Sequence, residues 1–351
     1  VTIAINGRFL TQATTGVQRF AAEVTTTLAA LAAAGEAPGL RIVAPKGAPE
    51  RFAGVQVEIV GRASGQAWEQ LELPKAVGPD MLLNLGNTAP IRRRGNQVVV
   101  IHDAGVFDTP ESYTAAFRAW YRTMHAALAR SGARIVTVSA FSRGRLAERL
   151  RLDPARIAMM PEGGEHVTRH AADREVLAKH GLKPLGYALA VGTRAAHKNL
   201  DALRGAASLL GQRGMALAVA GAVNSAVFGG PADVEGGAVR ALGRVTDAEL
   251  RALYENALCL LFPSRYEGFG LPPLEAMWCG CPVLASRAGA VPEVCAEAAL
   301  WFEDGGAAAA LTRLLEEPGL RDRLRAEGAA RAGLYTWPAA ARALLKAAEL
   351  R

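Results

Sequence analysis

The chain predicts an α/β protein made of two parallel-sheet domains. Three observations carry that expectation. Short, nearly continuous apolar runs alternate with helical segments, and the alternation occurs twice. Between the two sets lies a Pro/Gly-rich stretch, Met159-Met160-Pro161-Glu162-Gly163-Gly164-Glu165, which reads as a hinge. Apolar strands joined by helices bury both sheet faces, which is the habit of parallel sheets.

In the first half the expected strands are Val1–Ile5, Arg41–Ala44, Val57–Val60, Met81–Leu85, Val98–His102 and Ile135–Ser139. In the second half they are Tyr187–Val191, Ala216–Ala220, Ala238–Leu242, Leu258–Phe262, Pro282–Ala285 and Ala299–Phe302. Helical runs fall between most of them: Gly16–Ala33, Thr114–Ala129, Ser142–Leu150, Leu200–Leu210, Asp247–Asn256 and Leu274–Cys279. The Ala-rich tail from Ala307 to Arg351 reads as helical, and Thr336-Trp337-Pro338 interrupts it because proline resists a helix interior. The expected domains are 1–168, 169–335 and a closing helix over 336–351.

At 351 residues the chain is long enough for two real cores. Half of it is hydrophobic, yet no run approaches a membrane-spanning helix. The start reads as a strand rather than a secretory signal. The four cysteines lie late in the chain and form no disulfide scaffold, so reduced thiols and a cytoplasmic setting are expected. Cys279-Gly280-Cys281 has no second Cys or His pair beside it and reads as packing rather than a metal site. The formal charge of +7 serves solubility and also attracts anionic substrates or lipid. The first loop lacks a G-x-G-x-x-G fingerprint, which counts against a dinucleotide enzyme.

The most informative segment runs from Pro263 to Met277. It follows the apolar strand ending at Phe262. Two glycines flank Phe269, two prolines follow, and then a helix begins. Glycine lets backbone N–H groups approach a ligand, and proline starts a helix cleanly. Strand, bare turn and helix N-terminus together make a ready anion site. Two carboxylates, Glu267 and Glu275, bracket it. A plain phosphate cradle needs no acids; a site for a phosphate and a hydroxyl-rich sugar does.

That block resembles the E-x7-E motif of retaining GT-B glycosyltransferases of family 4, the group 1 glycosyltransferases. Gly280-Cys281-Pro282-Val283-Leu284-Ala285-Ser286, Gly289-Ala290-Val291-Pro292-Glu293-Val294 and, upstream, Val191-Gly192-Thr193-Arg194-Ala195-Ala196-His197-Lys198-Asn199-Leu200 continue the signature. The likeness is strongest over the last half of the chain. It implies two Rossmann-like domains facing across a cleft, with the last helix crossing back to the first domain. It also implies an acceptor-binding first domain and a nucleotide-sugar-binding second.

The site residues follow from the resemblance. Arg194 and Lys198, after a strand and before a helix, would grip the donor diphosphate where α/β sheets bind ligands. No divalent metal or other cofactor is then required. Glu267 would accept hydrogen bonds from sugar hydroxyls. Backbone N–H groups of Gly268, Phe269, Gly270 and Leu271 would hold sugar and phosphate, and Glu275 the ribose. Val245, with Leu250 beside it, is the candidate for the base. Thr246 with Glu249 also spells a capping box. His102, at a strand end, would contact the donor sugar, with Asp103 orienting it or capping the next segment. Gly16 matches a glycine at the first helix N-terminus, where a bulky residue would block the diphosphate.

The expected reaction moves a hexose, with retention, to a glycan or polyprenyl-linked saccharide. Asn6-Gly7-Arg8 with Thr15-Gly16-Val17-Gln18-Arg19 resembles the opening of bacterial mannosyl- and rhamnosyltransferases of surface polysaccharides, so GDP-mannose is the preferred donor and UDP-sugars the alternative. A sugar-nucleotide epimerase and a catalytically dead nucleotide-binding scaffold are the rivals. No nucleic-acid partner is expected. Phe117, Trp120, Tyr121, Met124 and Leu128 interleave with Arg118, Arg122 and Arg130, so contact with an anionic membrane surface, at the inner face of the plasma membrane, stands beside a plain core stripe.

Overall fold

A computed structural model describes residues 2–193, 195–221 and 238–349. The chain divides into two compact units: residues 1–163 with 337–351, and residues 164–336.

The first unit is built on eight strands. They are β1 (Ile3–Asn6), β2 (Leu40–Ala44), β3 (Arg51–Phe52), β4 (Val55–Ile59), β5 (Met81–Asn84), β6 (Gln97–Val100), β7 (Arg134–Thr137) and β8 (Ile157–Met159). Their order is β3-β4-β2-β1-β5-β6-β7-β8. All neighbours are parallel except β3 and β4, which form a small antiparallel edge hairpin. The sequence signals β4, as Val57–Val60, but neither β3 nor β8. Those two are two and three residues long, too short for any period to show.

Alternating side chains send Ala4, Val43 and Leu82 to one face, against Trp68, Leu73 and Val77. On β6 and beyond, Val99 and Ile101 pack with Met124 and Leu128 of the helix Ala115–Arg130. The closing helix, Trp337–Ala347, belongs to this unit. Its Trp337 is fully buried with its ring edge-on to Phe20 at 5.9 Å. Pro338 is its second residue, so the proline starts a helix after a short linker rather than kinking a continuous one.

The second unit carries a six-stranded parallel sheet. Its strands are β9 (Tyr187–Val191), β10 (Ala216–Ala220), β11 (Val239–Gly243), β12 (Leu260–Phe262), β13 (Val283–Ser286) and β14 (Ala299–Phe302). The order is β11-β10-β9-β12-β13-β14. Ala188 and Ala190 of β9 face the cluster formed with Ala206, Leu210 and Leu311. Tyr187 points the other way, and its hydroxyl donates to the Leu253 carbonyl of the helix Asp247–Asn256 at 2.6 Å. The expected single helix from Leu200 is a 3-10 turn, Leu200–Leu203, followed by an α-helix, Arg204–Gln212. The expected helix from Leu274 starts three residues earlier, at Leu271, because Pro272 and Pro273 fit its first turn.

Each sheet reverses its strand order once. In the first unit the reversal lies between β1 and β5; in the second it lies between β9 and β12. Loops leaving the carboxyl ends of such strand pairs part to opposite faces and leave a crevice for ligands.

The buried Trp337 gives the first prediction. Trp337→Ala should cost about 3–5 kcal/mol of stability, as for other buried aromatic truncations. Urea unfolding followed by fluorescence of the remaining tryptophans reads it, and a loss under about 1 kcal/mol would mean the closing helix is not part of the core.

Candidate functional site

The reversal between β9 and β12 places two loops side by side in the second unit. The first leaves β9 through Gly192 and Thr193 and reaches Lys198 on a short 3-10 turn. The second leaves β12 through Pro263 and Ser264 and reaches Glu267. The Arg265 N–H donates to the His197 carbonyl at 2.7 Å, and Asn199 Nδ2 donates to the Pro263 carbonyl at 3.2 Å. Across this join, Lys198 Nζ meets Glu267 Oε1 at 2.7 Å. The lysine is also 5.9 Å from the centre of the Phe262 ring. The two side chains are only 21% and 11% exposed, so salt screens the pair less than a surface pair.

A glycine farther along sets the position of Glu267. Gly289 has φ +56°, and a Cβ built on it would lie 2.2 Å from the Glu267 carbonyl oxygen. That carbonyl instead accepts from the Ala290 N–H at 3.0 Å. Gly270, at φ +114°, caps the helix Leu271–Trp278 and turns the chain from the Glu267 loop into it. With prolines at 272 and 273 lacking N–H groups, that helix presents its first donors at the Gly270–Leu271 end. Phe269 turns its ring inward, edge-on to Tyr335 at 5.8 Å, so its backbone is what remains for a ligand.

Glu275 lies one turn into the same helix and is buried. Oε1 is 2.9 Å from His166 Nε2, and Oε2 accepts from the Tyr254 hydroxyl at 3.0 Å. Burial, and then the Glu275 charge, push the Tyr254 hydroxyl well above its ordinary pKa, so it remains a donor. His166 and Tyr254 escaped the sequence reading: they lie 109 and 21 residues from Glu275 in the chain, with no local spacing to join them.

Val245 and Leu250 are half-buried around the start of the helix Asp247–Asn256. Thr246 and Glu249 form the capping box: the Glu249 N–H donates to Thr246 Oγ1 at 3.2 Å, and Glu249 Oε2 accepts from the Thr246 N–H at 2.7 Å. Arg194 lies outside the described residues.

His102 belongs to the first unit, just past β6. The ring is buried, with Phe20 edge-on at 4.4 Å. Nε2 is 3.1 Å from the Leu85 carbonyl, and Nδ1 is 3.4 Å from Glu162 Oε1. Both ring nitrogens are therefore engaged within the unit. Burial disfavours the charged ring, but the Glu162 hydrogen bond and charge, the Leu85 carbonyl and Asp103 outweigh it, and the His102 pKa is raised. Asp103 Oδ1 accepts from the Gly105 N–H at 2.6 Å and closes the turn that follows. Glu162 follows β8 by three residues, in the stretch that reads from sequence as the hinge, and no local spacing joins it to His102, 60 residues away. Gly16 opens the first long helix, and a Cβ there would meet no protein atom within 4 Å.

The four cysteines are free thiols. Burial pushes Cys259 and Cys295 up to about 12, which leaves them unreactive. No helix among the described residues is long and apolar enough to cross a membrane.

Residues 173–331, which contain the Lys198–Glu267 pair and Glu275, match the family model for Glycosyl transferases group 1. The chain belongs to the group 1 glycosyltransferases. It is 33% identical over 258 residues to the O-antigen chain mannosyltransferase B of Escherichia coli, across 68% of this chain and 66% of that protein. It is 41% identical over 104 residues to the MMP alpha-(1->4)-mannosyltransferase of Mycolicibacterium hassiacum, across 28% of this chain and 25% of that protein. It thus spans about two thirds of the first relative's length and a quarter of the second's. Among solved structures, the glycosyltransferase WaaG superposes with a TM-score of 0.70 at 18% identity, over 99% of both chains. Sucrose-phosphate synthase from Thermosynechococcus elongatus gives 0.73 at 19% identity, over 98% of this chain and 97% of that one. At these identities the likeness speaks for the fold, and that fold is GT-B.

In this group 1 glycosyltransferase the raised His102 value sets a sign for pH dependence. A histidine whose folded pKa is raised adds stability in full below its ordinary value of about 6.5, and that stability fades as pH climbs through the folded value. Glu162→Gln should therefore lower the melting temperature more at about pH 6 than at about pH 9. Equal losses at both pH values, read by differential scanning fluorimetry, would show that no charged His102 leans on Glu162.

Proposed function

We propose that the chain is a retaining, metal-independent glycosyltransferase that moves mannose from GDP-mannose to a hydroxyl of a glycan or lipid-linked saccharide. The Lys198–Glu267 pair carries this reading. It joins a cation and a carboxylate at the ligand-binding end of a parallel sheet, beside the helix that begins at Leu271. The first two relatives above are both named mannosyltransferases, which supports the sugar.

In the reaction the bond from the sugar's anomeric carbon to the diphosphate breaks, and a bond to the acceptor oxygen forms on the same face. The acceptor's proton passes to an oxygen of the departing diphosphate. Negative charge grows on that diphosphate, so a fixed cation there lowers the barrier. Lys198 supplies it, with Arg194 as its partner in the reading. Main-chain N–H groups of Gly268, Phe269, Gly270 and Leu271 add donors without charge. Glu267 steadies Lys198 before the donor arrives and accepts from sugar hydroxyls afterwards. Glu275, held on both oxygens, takes the ribose in this reading, and Val245 and Leu250 the base. His102, tied to Glu162 and Leu85, acts as a positioning residue in the first unit, which takes the acceptor.

Free thiols support work in a reducing compartment such as the cytoplasm. A polyprenyl-linked acceptor would bring the enzyme to a membrane face, and the exposed Trp120 is a residue suited to that contact.

Lys198→Ala should lower kcat by about a hundredfold or more, as removal of one charge-stabilising donor does elsewhere. Transfer from GDP-mannose measured with an unchanged rate would sink the assignment. The donor base is read by thermal shift with GDP, UDP, TDP and ADP. GDP should raise the melting temperature most, because a ligand stabilises in proportion to its affinity; a larger shift with UDP overturns the GDP choice.

A further inference from the structure

Lys198 sits between two residues that are each tied to the neighbouring loop. On one side the His197 carbonyl accepts from the Arg265 N–H at 2.7 Å. On the other, Asn199 Nδ2 donates to the Pro263 carbonyl at 3.2 Å. Both partners belong to the chain that leaves β12 on its way to Glu267. The second tie runs through a side chain that the donor chemistry above leaves unused.

Backbone geometry restricts what can stand at position 199. The residue closes one 3-10 turn, Ala196–Lys198, and opens the next, Leu200–Leu203. Its N–H donates to the Ala196 carbonyl at 3.1 Å, and its own carbonyl accepts from the Ala202 N–H at 3.1 Å. With φ +50° and ψ +37° it lies in the left-handed region, which turns the chain sharply just after Lys198. Glycine, asparagine and aspartate take that conformation most readily.

The hydrogen bonds select among those three. Asn199 Nδ2 also donates to Asp304 Oδ1 at 3.1 Å, just past the end of β14. A primary amide has two N–H donors, and here each has an acceptor. Glycine offers neither donor. An ionised aspartate offers none and would set a second carboxylate against Asp304. Asp304 Oδ2 in turn accepts from Arg265 Nη2 at 3.3 Å. Arg265 and Asp304 are both exposed, so that ion pair is weak by itself. Its contribution is to close a ring around Lys198: His197 to Arg265, Arg265 to Asp304, and Asp304 to Asn199.

A shift of this backbone would pass to Lys198 Nζ, which meets Glu267 Oε1 at 2.7 Å. Glu267 has its own fixing, the bond from the Ala290 N–H to its carbonyl. Loss of the Asn199 amide would therefore move one partner of the pair and leave the other in place.

We propose that Asn199 is a positioning residue: its amide donors hold Lys198 where negative charge grows on the departing diphosphate. The inference rests on the glycosyl-transfer reading above, in which Lys198 is that cation. A lysine on a loosened backbone still finds a bound diphosphate, because its stem is flexible and its charge is compact. It no longer stands ready in the transition state, where a fixed charge counts most. Loss of Asn199 therefore falls on kcat rather than KM.

The test measures GDP release from GDP-mannose by the full chain, with rates referred to folded enzyme. Asn199→Gly keeps the left-handed turn and deletes both donors. It should lower kcat by about tenfold or more, with KM within about threefold, as small misplacements of a catalytic group do. In a Lys198→Ala background the same substitution should change kcat by less than about twofold, because a residue that acts through Lys198 has nothing left to position. Asp304→Ala, at an exposed site that tolerates truncation, keeps the test open should Asn199→Gly lose its fold. Removing that one acceptor should lower kcat by about threefold with Lys198 present and leave it unchanged in Lys198→Ala. An unchanged kcat in Asn199→Gly, a rise in KM alone, or equal losses with and without Lys198 overturns the proposal. Failure of the donor reading shows separately, as Lys198→Ala releasing GDP at the wild-type rate.

Discussion

A lysine and a glutamate, 69 residues apart in sequence, meet at 2.7 Å, and the second unit's site depends on that meeting. The sheet order makes it possible. β12 returns beside β9 after β10 and β11 have been laid down on the other side, so the two loops leave neighbouring strand ends. Several smaller bonds hold the loops together, and Gly289 clears room for the Glu267 backbone. A charge pair formed in advance is already oriented, and fixed charge of that kind needs no reorganisation when a ligand binds.

The first unit repeats the arrangement with different chemistry. Its sheet also reverses once, and a buried pair, Arg8 with Glu69, lies at the reversal. Here the cation is matched by a fully buried carboxylate and by Thr88, so it serves as structure and as a hydrogen-bonding surface. Burial pushes the Glu69 carboxyl up while Arg8 pulls it down; removing either partner would strand a buried charge. The same topology therefore sets a partly exposed charge pair in one unit and a more deeply buried one in the other.

The networks around His102 and Glu275 show what residue type and chain position leave out. From sequence each is a single side chain at a strand end or in a helix's first turns. His102 has both ring nitrogens occupied by Leu85 and Glu162, and Glu275 has both oxygens held by His166 and Tyr254. A buried polar group must be satisfied wherever it sits, so a functional side chain in a core arrives with partners. Those partners fix its direction and its charge state, and so define what it can offer a ligand.

Most of the fold was legible in the chain, because strand and helix signals are local. Apolar runs of four or five residues, the Thr246–Glu249 capping box and the prolines at the start of the Leu271–Trp278 helix each act within a few residues of where they are written. The motif from Pro263 to Met277 was legible for the same reason. What had no local signal were the two-residue β3 and three-residue β8, and every partnership between distant segments: Arg8 with Glu69, His102 with Glu162, His166 with Glu275. Residue type and spacing dictate backbone preference over a turn or a strand. Which charged or polar groups end up within hydrogen-bonding reach of each other is decided by strand order, since only the closed sheet brings the ends of non-consecutive strands together.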